Sequence, residues 1–329
     1  MGRLQHPHVL GVKAHRLLPH GAGSVILLEL APGGELLGRV LRQGHLSDVE
    51  ARHYFAQIAS AVEFMHARGV VHLDLKLENV LLAAGGAAKL CDFGLAHEYE
   101  RDGASGMVHK TRLTELRGSR SYVAPEVLRG CSSGYDGEPA DIWSLGVMLF
   151  AMLAGFFPTP TAAETEPAFL RLREAVVSGG RSLVRTAFQA HDARCHLAAS
   201  AIALVDHCLA FDPDQRPSAR EVVGSDWLRA APQTPPTSPA TGAANPATPA
   251  KAATGSAKKG SAPVALADGG ATLVGGGGAV CSSGGDETPT RRRGSRVRIP
   301  SRRRAGSLTP PKKRPRERAP LTVGEPNRR

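Results

Sequence analysis

Apolar positions in the first 230 residues fall into blocks whose spacing separates strands from helices. The run Val25-Ile26-Leu27-Leu28-Glu29-Leu30, closed by Pro32 and the Gly33-Gly34 pair, reads as a buried strand that stops at the first strong turn formers. After Ser47 the period lengthens. Ala51, Tyr54, Phe55, Ile58, Val62 and Met65 share one helical face, which predicts an amphipathic helix ending near Gly69, with its aromatic residues in the core. Ser47-Asp48-Val49-Glu50 has capping-box spacing, Ser47 bonding forward and Glu50 back. The longest apolar run, 142–157, is 16 residues and contains Ser144, Gly146 and Gly155. A membrane span needs about 20, so this run predicts a buried helix and no transmembrane segment. Further helices are expected over about 166–177, 197–209 and 219–228.

Beyond residue 230 the periodicity is lost, and charge follows the same boundary. Residues 1–230 carry 23 Lys and Arg against 25 Asp and Glu, whereas 231–329 carry 18 against 5. The net charge of +11 therefore belongs to the tail. Pro, Ala, Gly, Ser and Thr dominate there, a composition that cannot bury enough apolar surface to offset chain entropy, so disorder is expected over 231–329. Its basic clusters are Arg291-Arg292-Arg293, Arg302-Arg303-Arg304 and Lys312-Lys313-Arg314-Pro315-Arg316. A solvated basic tail is the plain reading. A nuclear-import signal over 311–318, read by an import receptor, is the specific one, and nonspecific attraction to nucleic acid or acidic membrane stays open. Five scattered cysteines without paired spacing point to a reducing setting, cytoplasmic or nuclear, and the Met-Gly-Arg start shows no leader pattern.

The chemistry concentrates in Val71-His72-Leu73-Asp74-Leu75-Lys76-Leu77-Glu78-Asn79-Val80-Leu81-Leu82, followed by Asp92-Phe93-Gly94. Phosphoryl transfer asks for a carboxylate to receive a hydroxyl proton, a cation near the moving phosphate and oxygen ligands for Mg²⁺. Asp74, Lys76, and Asn79 with Asp92 meet those needs in that order. Two later blocks, Gly118-Ser119-Arg120-Ser121-Tyr122-Val123-Ala124-Pro125-Glu126 and Asp141-Ile142-Trp143-Ser144-Leu145-Gly146, complete an ordered set of four.

Together these blocks resemble a eukaryotic protein kinase of the Ser/Thr type, with a tone similar to the calmodulin-dependent and AMP-activated kinase group. The resemblance implies an α+β fold. It divides the chain into a kinase domain at 1–230, with 1–30 as a small-lobe remnant and 31–230 as the large lobe, before the tail at 231–329. It implies ATP and Mg²⁺ as cofactors, Asn79 and Asp92 on the metal, and Ser119 bonding the catalytic Asp74 and Lys76 in a way that favours Ser/Thr acceptors on protein substrates. Leu28 would be the gatekeeper, Glu29 to Ala31 the hinge that bonds adenine through its backbone, Glu35 the acid near the ribose, and Leu81 a further nucleotide contact. His72 would pack under Phe93, Asp141 would brace the catalytic loop, and Glu126 would pair with Arg216. Glu35 and Glu78 match acids that bind an Arg three residues before the acceptor, so Ser295 and Ser307, each following an Arg by three, are candidate self-substrates. Thr234, Ser238, Thr248, Thr288 and Thr309 precede Pro and suit proline-directed kinases.

Two departures qualify the likeness. Leu73 stands where loop-regulated kinases carry an Arg that pairs with a loop phosphate, so loop phosphorylation is expected either not to be the switch or to act through another cation such as Arg117 or Arg120. The Gly-rich loop, the strand-three Lys and its helix Glu would lie upstream of His6-Pro7, beyond Met1, so the domain is expected to be N-terminally truncated in this sequence. A catalytically impaired, kinase-like binding module is therefore the alternative reading, and a nucleic-acid binder acting through the tail is a third.

Overall fold

A computed structural model describes residues 4–18, 23–130, 134–230 and the backbone of 272–274. The basic clusters, Ser295, Ser307 and the 311–318 signal lie outside the described residues. Two antiparallel strands, β1 (Val12–Leu17) and β2 (Ser24–Leu28), come first, with Val12 opposite Leu28. Helices α1 (Leu36–Gln43) and α2 (Asp48–His66) follow. Five short strands come next: β3 (Val70–Val71), β4 (Val80–Leu82), β5 (Ala88–Leu90), β6 (His97–Glu98) and β7 (Glu100–Arg101). After β8 (Val108–His109) and β9 (Arg117–Ser119), the rest of the main body is helical. Its helices are α3 (Pro125–Leu128), α4 (Gly137–Ala154), α5 (Pro167–Val177), α6 (Leu183–Ala190), α7 (Ala199–Cys208), α8 (Ala219–Val223) and α9 (Asp226–Arg229). The pairs β3–β6, β4–β5 and β7–β8 are antiparallel hairpins and ladders laid on this helical body, which matches the α+β expectation.

The buried helix predicted at 142–157 is α4, displaced toward the N-terminus. Asp136 caps it by accepting the Glu138 N–H, and Gly155 ends it in the left-handed region at φ 78°. Only glycine fits at that end. A Cβ on Gly155 would lie 1.9 Å from the Gly44 carbonyl oxygen. Almost all of α4 is buried, between α2 and α7, so it serves as the axis of the core. The predicted helix after Ser47 is α2, where Ser47 accepts the Glu50 N–H at 3.3 Å. Glu50 turns to the Ser47 hydroxyl and to Arg39, at 2.7 Å, so the complete reciprocal capping box is found at Ser218 and Glu221 of α8 instead.

One expectation needs correction. β2 is a strand, but it is exposed along its whole length, with Leu28 at 41% and Leu27 at 59%. A two-stranded ribbon has no second layer of its own, and among the described residues none covers it. Within the expected small-lobe remnant at 1–30, the first described residues pack apart from the β1–β2 ribbon. Leu4, Val9 and Leu10 are buried in the large body, and the Leu10 N–H bonds the Leu90 carbonyl at 2.8 Å while the Leu90 N–H bonds His8. Thr272–Val274, inside the tail expected to be disordered, forms β10 antiparallel to β9, Thr272 opposite Ser119. Thr and Val favour extended backbone, and β9 has no other strand partner among the described residues.

Arg216 ties the core to α3. Its guanidinium donates to both Glu126 carboxylate oxygens at 2.6 and 2.8 Å, to the Pro139 and Ala210 carbonyls, and lies 5.0 Å from the Trp143 ring centre. Breaking such a buried pair from one side strands a charge. Arg216→Met is expected to destabilise the protein by about 3–5 kcal/mol. Glu126→Gln, which keeps a hydrogen-bond acceptor, should cost less. Urea denaturation midpoints check both, and equal losses would show that the charge, and not the hydrogen-bonding geometry, carries the pair.

Candidate active site

The loop between β3 and β4 is held by a residue far away in sequence. Asp141 of α4, 1% exposed, accepts the backbone N–H groups of His72 at 2.7 Å and Leu73 at 2.8 Å. The His66 ring reaches the same carboxylate at 3.0 Å. Leu73 adopts φ 63°, a left-handed conformation that side chains with a Cβ resist. Its side chain is buried, so packing and the Asp141 bonds together hold a strained turn. Gly118 then crosses directly above, at φ 116°, where a Cβ would approach the Leu73 carbonyl to 3.0 Å. The glycine lets β9 lie against the loop, and that contact delivers Ser119.

Four of the candidate residues meet here. The Ser119 hydroxyl donates to Asp74 Oδ1 at 2.7 Å and accepts from Lys76 Nζ at 2.9 Å, while Lys76 Nζ also lies 3.0 Å from Asp74 Oδ2. Asn79 Nδ2 donates to the Asp74 carbonyl at 2.8 Å and to its carboxylate at 3.2 Å. All four side chains are buried, so their charges are weakly screened by water. Asp92 stands apart. It is exposed, at φ 57°, and its carboxylate accepts the Gly94 N–H at 3.1 Å. Its neighbour in sequence is tied to the cluster, because the Cys91 N–H bonds the Asn79 carbonyl at 2.9 Å. The His72 ring packs 5.0 Å from the Phe93 ring and bonds the Cys91 carbonyl at 3.0 Å. Burial and the neighbouring Asp92 push the Cys91 thiol up to about 12, which keeps it protonated and unreactive at neutral pH.

The expected nucleotide residues are more dispersed. Glu35 and Leu81 are bridged partners, framed by the Gly33 N–H to Leu82 carbonyl bond at 2.8 Å. Leu28 sits on the exposed β2. Glu29 is held by Lys89 at 2.6 Å and by the Gly11 N–H, and its own N–H bonds the Gly11 carbonyl, so within the expected hinge the Glu29 donor is already bonded internally. Ala31, half-buried, has no backbone partner for its N–H among the described residues. Glu78 is half-buried rather than a free surface acid, and accepts the Tyr122 hydroxyl at 3.1 Å. Burial raises its carboxyl above the usual range.

Sequence reasoning missed three supports. His66 gave no signal beyond its place at the end of a helix. Tyr122 lies 44 positions from Glu78, within a block noted for other reasons. Glu115 pairs with Arg117, whose guanidinium also bonds the Leu95 carbonyl at 3.1 Å, so one of the two cations considered for a loop phosphate already holds an acid. The Asp141 brace is the most testable of these contacts. Asp141→Asn turns an amide NH₂ toward a backbone N–H and leaves one buried donor unmet, with an expected loss of about 1–3 kcal/mol. Hydrogen exchange at the His72 and Leu73 amides should accelerate accordingly. Unchanged protection would remove the brace from the account.

Comparison with known proteins agrees with this geometry. The protein kinase domain family matches residues 1–228. CBL-interacting protein kinase 31 of Oryza sativa subsp. japonica is 46% identical over 158 residues, 48% of this chain and 33% of that protein. CBL-interacting protein kinase 16 from the same plant is 36% identical over 242 residues, 73% of this chain and 48% of that protein. CBL-interacting serine/threonine-protein kinase 9 of Arabidopsis thaliana is 42% identical over 158 residues. The matches thus span between a third and a half of the relatives' length. With a match across nearly the whole described body and the Asp74, Lys76, Asn79 and Ser119 cluster at its centre, the chain belongs to the protein kinase domain family.

Proposed function

We propose that this chain serves the transfer of the ATP γ-phosphoryl group to Ser and Thr hydroxyls of proteins. The observation that carries the reading is the closed triangle of Asp74, Lys76 and Ser119, with Asn79 locked onto Asp74. In this reading the substrate hydroxyl oxygen forms the new bond to the γ-phosphorus, the bond from that phosphorus to the β–γ bridging oxygen breaks, and ADP leaves. Asp74 orients the hydroxyl and receives its proton. Lys76, aimed by Ser119, faces the negative charge of the phosphoryl oxygens. Ser119 also shapes the platform for a short acceptor side chain.

The donor set fits Mg²⁺. Asn79 directs its amide nitrogen into the protein, which leaves Oδ1 for a ligand, and the exposed Asp92 adds a carboxylate, so both donors are hard oxygens. Among the described residues no group of three or more His, Cys, Asp and Glu could hold a metal by itself, as suits an ion that takes its other ligands from phosphate and water. When bound, Mg²⁺ would neutralise charge between the β- and γ-phosphates.

Glu35, exposed, and Glu78 support a preference for basic residues ahead of the acceptor. Because burial raises the Glu78 carboxyl, it gains its charge only as pH rises through that raised value, and Arg recognition should strengthen in the same direction. A second reading, a binding module without transfer activity, is favoured by one observation. Leu17, Val25, Ile26 and Leu27 leave the β1–β2 ribbon apolar and exposed, and Leu30, just after it, is exposed by 83%.

Transfer of labelled phosphate from ATP to an Arg-x-x-Ser peptide separates the readings. Asp74→Asn is expected to lower kcat by about 10²- to 10⁴-fold, and Asp92→Ala to abolish transfer. The preference for the Arg peptide over its Ala counterpart, taken as a ratio of kcat/KM, should fall between pH 8 and pH 5.5. Transfer that survives Asp92→Ala, or that is never detected, would favour the binding module.

A further inference from the structure

Between α5, α6 and the turn that precedes α5 lies a cavity of about 530 Å³ that no step of phosphoryl transfer uses. Its size falls in the range of ligand sites, about 300–1,000 Å³. Leu172 and Ala168 of α5, with Pro158 and Ala190, give it apolar walls. Arg171 and Arg181 give it charge. Neither guanidinium has an ion pair or hydrogen bond among the described residues, although both are exposed and line one cavity. Arg173, two positions along the same helix, shows the contrast: it bonds both Glu164 oxygens, at 2.8 and 2.9 Å. The remaining charged or titratable lining groups are Glu166, whose carboxylate caps α5 by accepting the Ala168 N–H at 3.3 Å, and His191. His191 bonds the Ala187 carbonyl and stacks 4.4 Å from Phe156. The cavity therefore offers two unengaged planar cations above an apolar floor.

We propose that this cavity docks an acidic peptide segment of a protein partner, with carboxylates on Arg171 and Arg181 and an apolar side chain against Leu172 and Ala190. Guanidinium groups match carboxylates through paired, parallel hydrogen bonds, which gives direction as well as attraction. The chain's own tail is the wrong occupant, since 231–329 carry 18 basic residues against 5 acidic ones. One hydrogen bond links the cavity wall to the segment that carries Ser119. Pro160, in the cavity wall, accepts the Ser121 hydroxyl at 3.1 Å, two residues from Ser119. A partner anchored here would hold its acceptor segment at high effective concentration near Asp74.

The test is a binding measurement on the full chain without nucleotide, so it stands or falls separately from the transfer reading. A fluorescein-labelled Glu-Asp-Leu-Glu-Asp-Leu peptide is titrated by anisotropy. Binding is expected to weaken at least about tenfold in R171E/R181E, as for loss of paired charge contacts. It should weaken similarly in Ala190→Trp, which fills the cavity without changing charge. Arg185→Glu, exposed on α6 but outside the cavity lining, should bind as the unaltered chain does. No binding, binding that persists in both cavity variants, or an equal loss in Arg185→Glu would overturn the proposal, the last by reducing it to general charge attraction.

Discussion

The Asp141 carboxylate is the constraint from which the geometry of the candidate site follows. Hydrogen bonds from backbone N–H to a buried charged acceptor are worth roughly 1.5–3 kcal/mol each, and a non-glycine residue in the left-handed region costs roughly 1–2 kcal/mol. Two such bonds, to His72 and Leu73, therefore outweigh the strain they enforce at Leu73. Because Asp141 belongs to the most deeply buried helix, the loop inherits the rigidity of the core. The turn at Leu73 sets where Gly118 can pass, and Gly118 sets where Ser119 meets Asp74 and Lys76. One carboxylate thus fixes Asp74 and Lys76 to within a hydrogen bond of each other.

The segment between Asp92 and Glu126 is ordered by contacts already present in the chain. Arg216 clamps its far end through Glu126. In the middle, Tyr135 bonds the Glu115 carbonyl at 2.9 Å, Leu113 and Tyr135 exchange backbone bonds, and Arg117 joins Glu115 to the Leu95 carbonyl. Near its start the Gly69 carbonyl takes the Tyr99 N–H, and Lys110 pairs with Glu138 at 2.6 Å. Leu73 cannot bind a phosphate, so an ordering device built from a fixed acid at Glu115 and an aromatic hydroxyl at Tyr135 is chemically consistent with the loop it supports.

What could be read from the sequence was what is local. Asp74, Lys76 and Asn79 stand within six positions, so their spacing alone brings them to one turn, and α2 and α4 follow from apolar periodicity. The reach of Arg216 to Glu126, 90 residues away, came from family likeness and not from any pattern in the residues themselves. β2 was read correctly as a strand and wrongly as buried, because apolar content reports what a strand could bury and not whether a second layer exists. α6 escaped notice although Ser182 caps it at the Arg185 N–H and Leu183, Val184, Ala187 and Phe188 form its buried face. Eight residues hold too few turns for a period to stand out. The predicted helix at 219–228 divides at Gly224, after which Ser225 precedes a new helix, α9.

The two sides of the site differ in how firmly they are held, and this separates two parameters of the proposed reaction. On the transfer side, Asp74, Lys76, Asn79 and Ser119 are buried and mutually bonded, so their alignment is a property of the core and does not depend on a ligand. On the nucleotide side, anchorage stops at Glu29, which Lys89 and Gly11 tie to β5 and the start of β1, and at Glu35, which is bridged to Leu81. Beyond Glu29, β1 and β2 expose their apolar faces on a ribbon that cannot be rigid alone. In the proposed reaction, phosphoryl alignment would therefore rest on contacts within the described core, whereas nucleotide binding would rest on the less anchored region around Leu28.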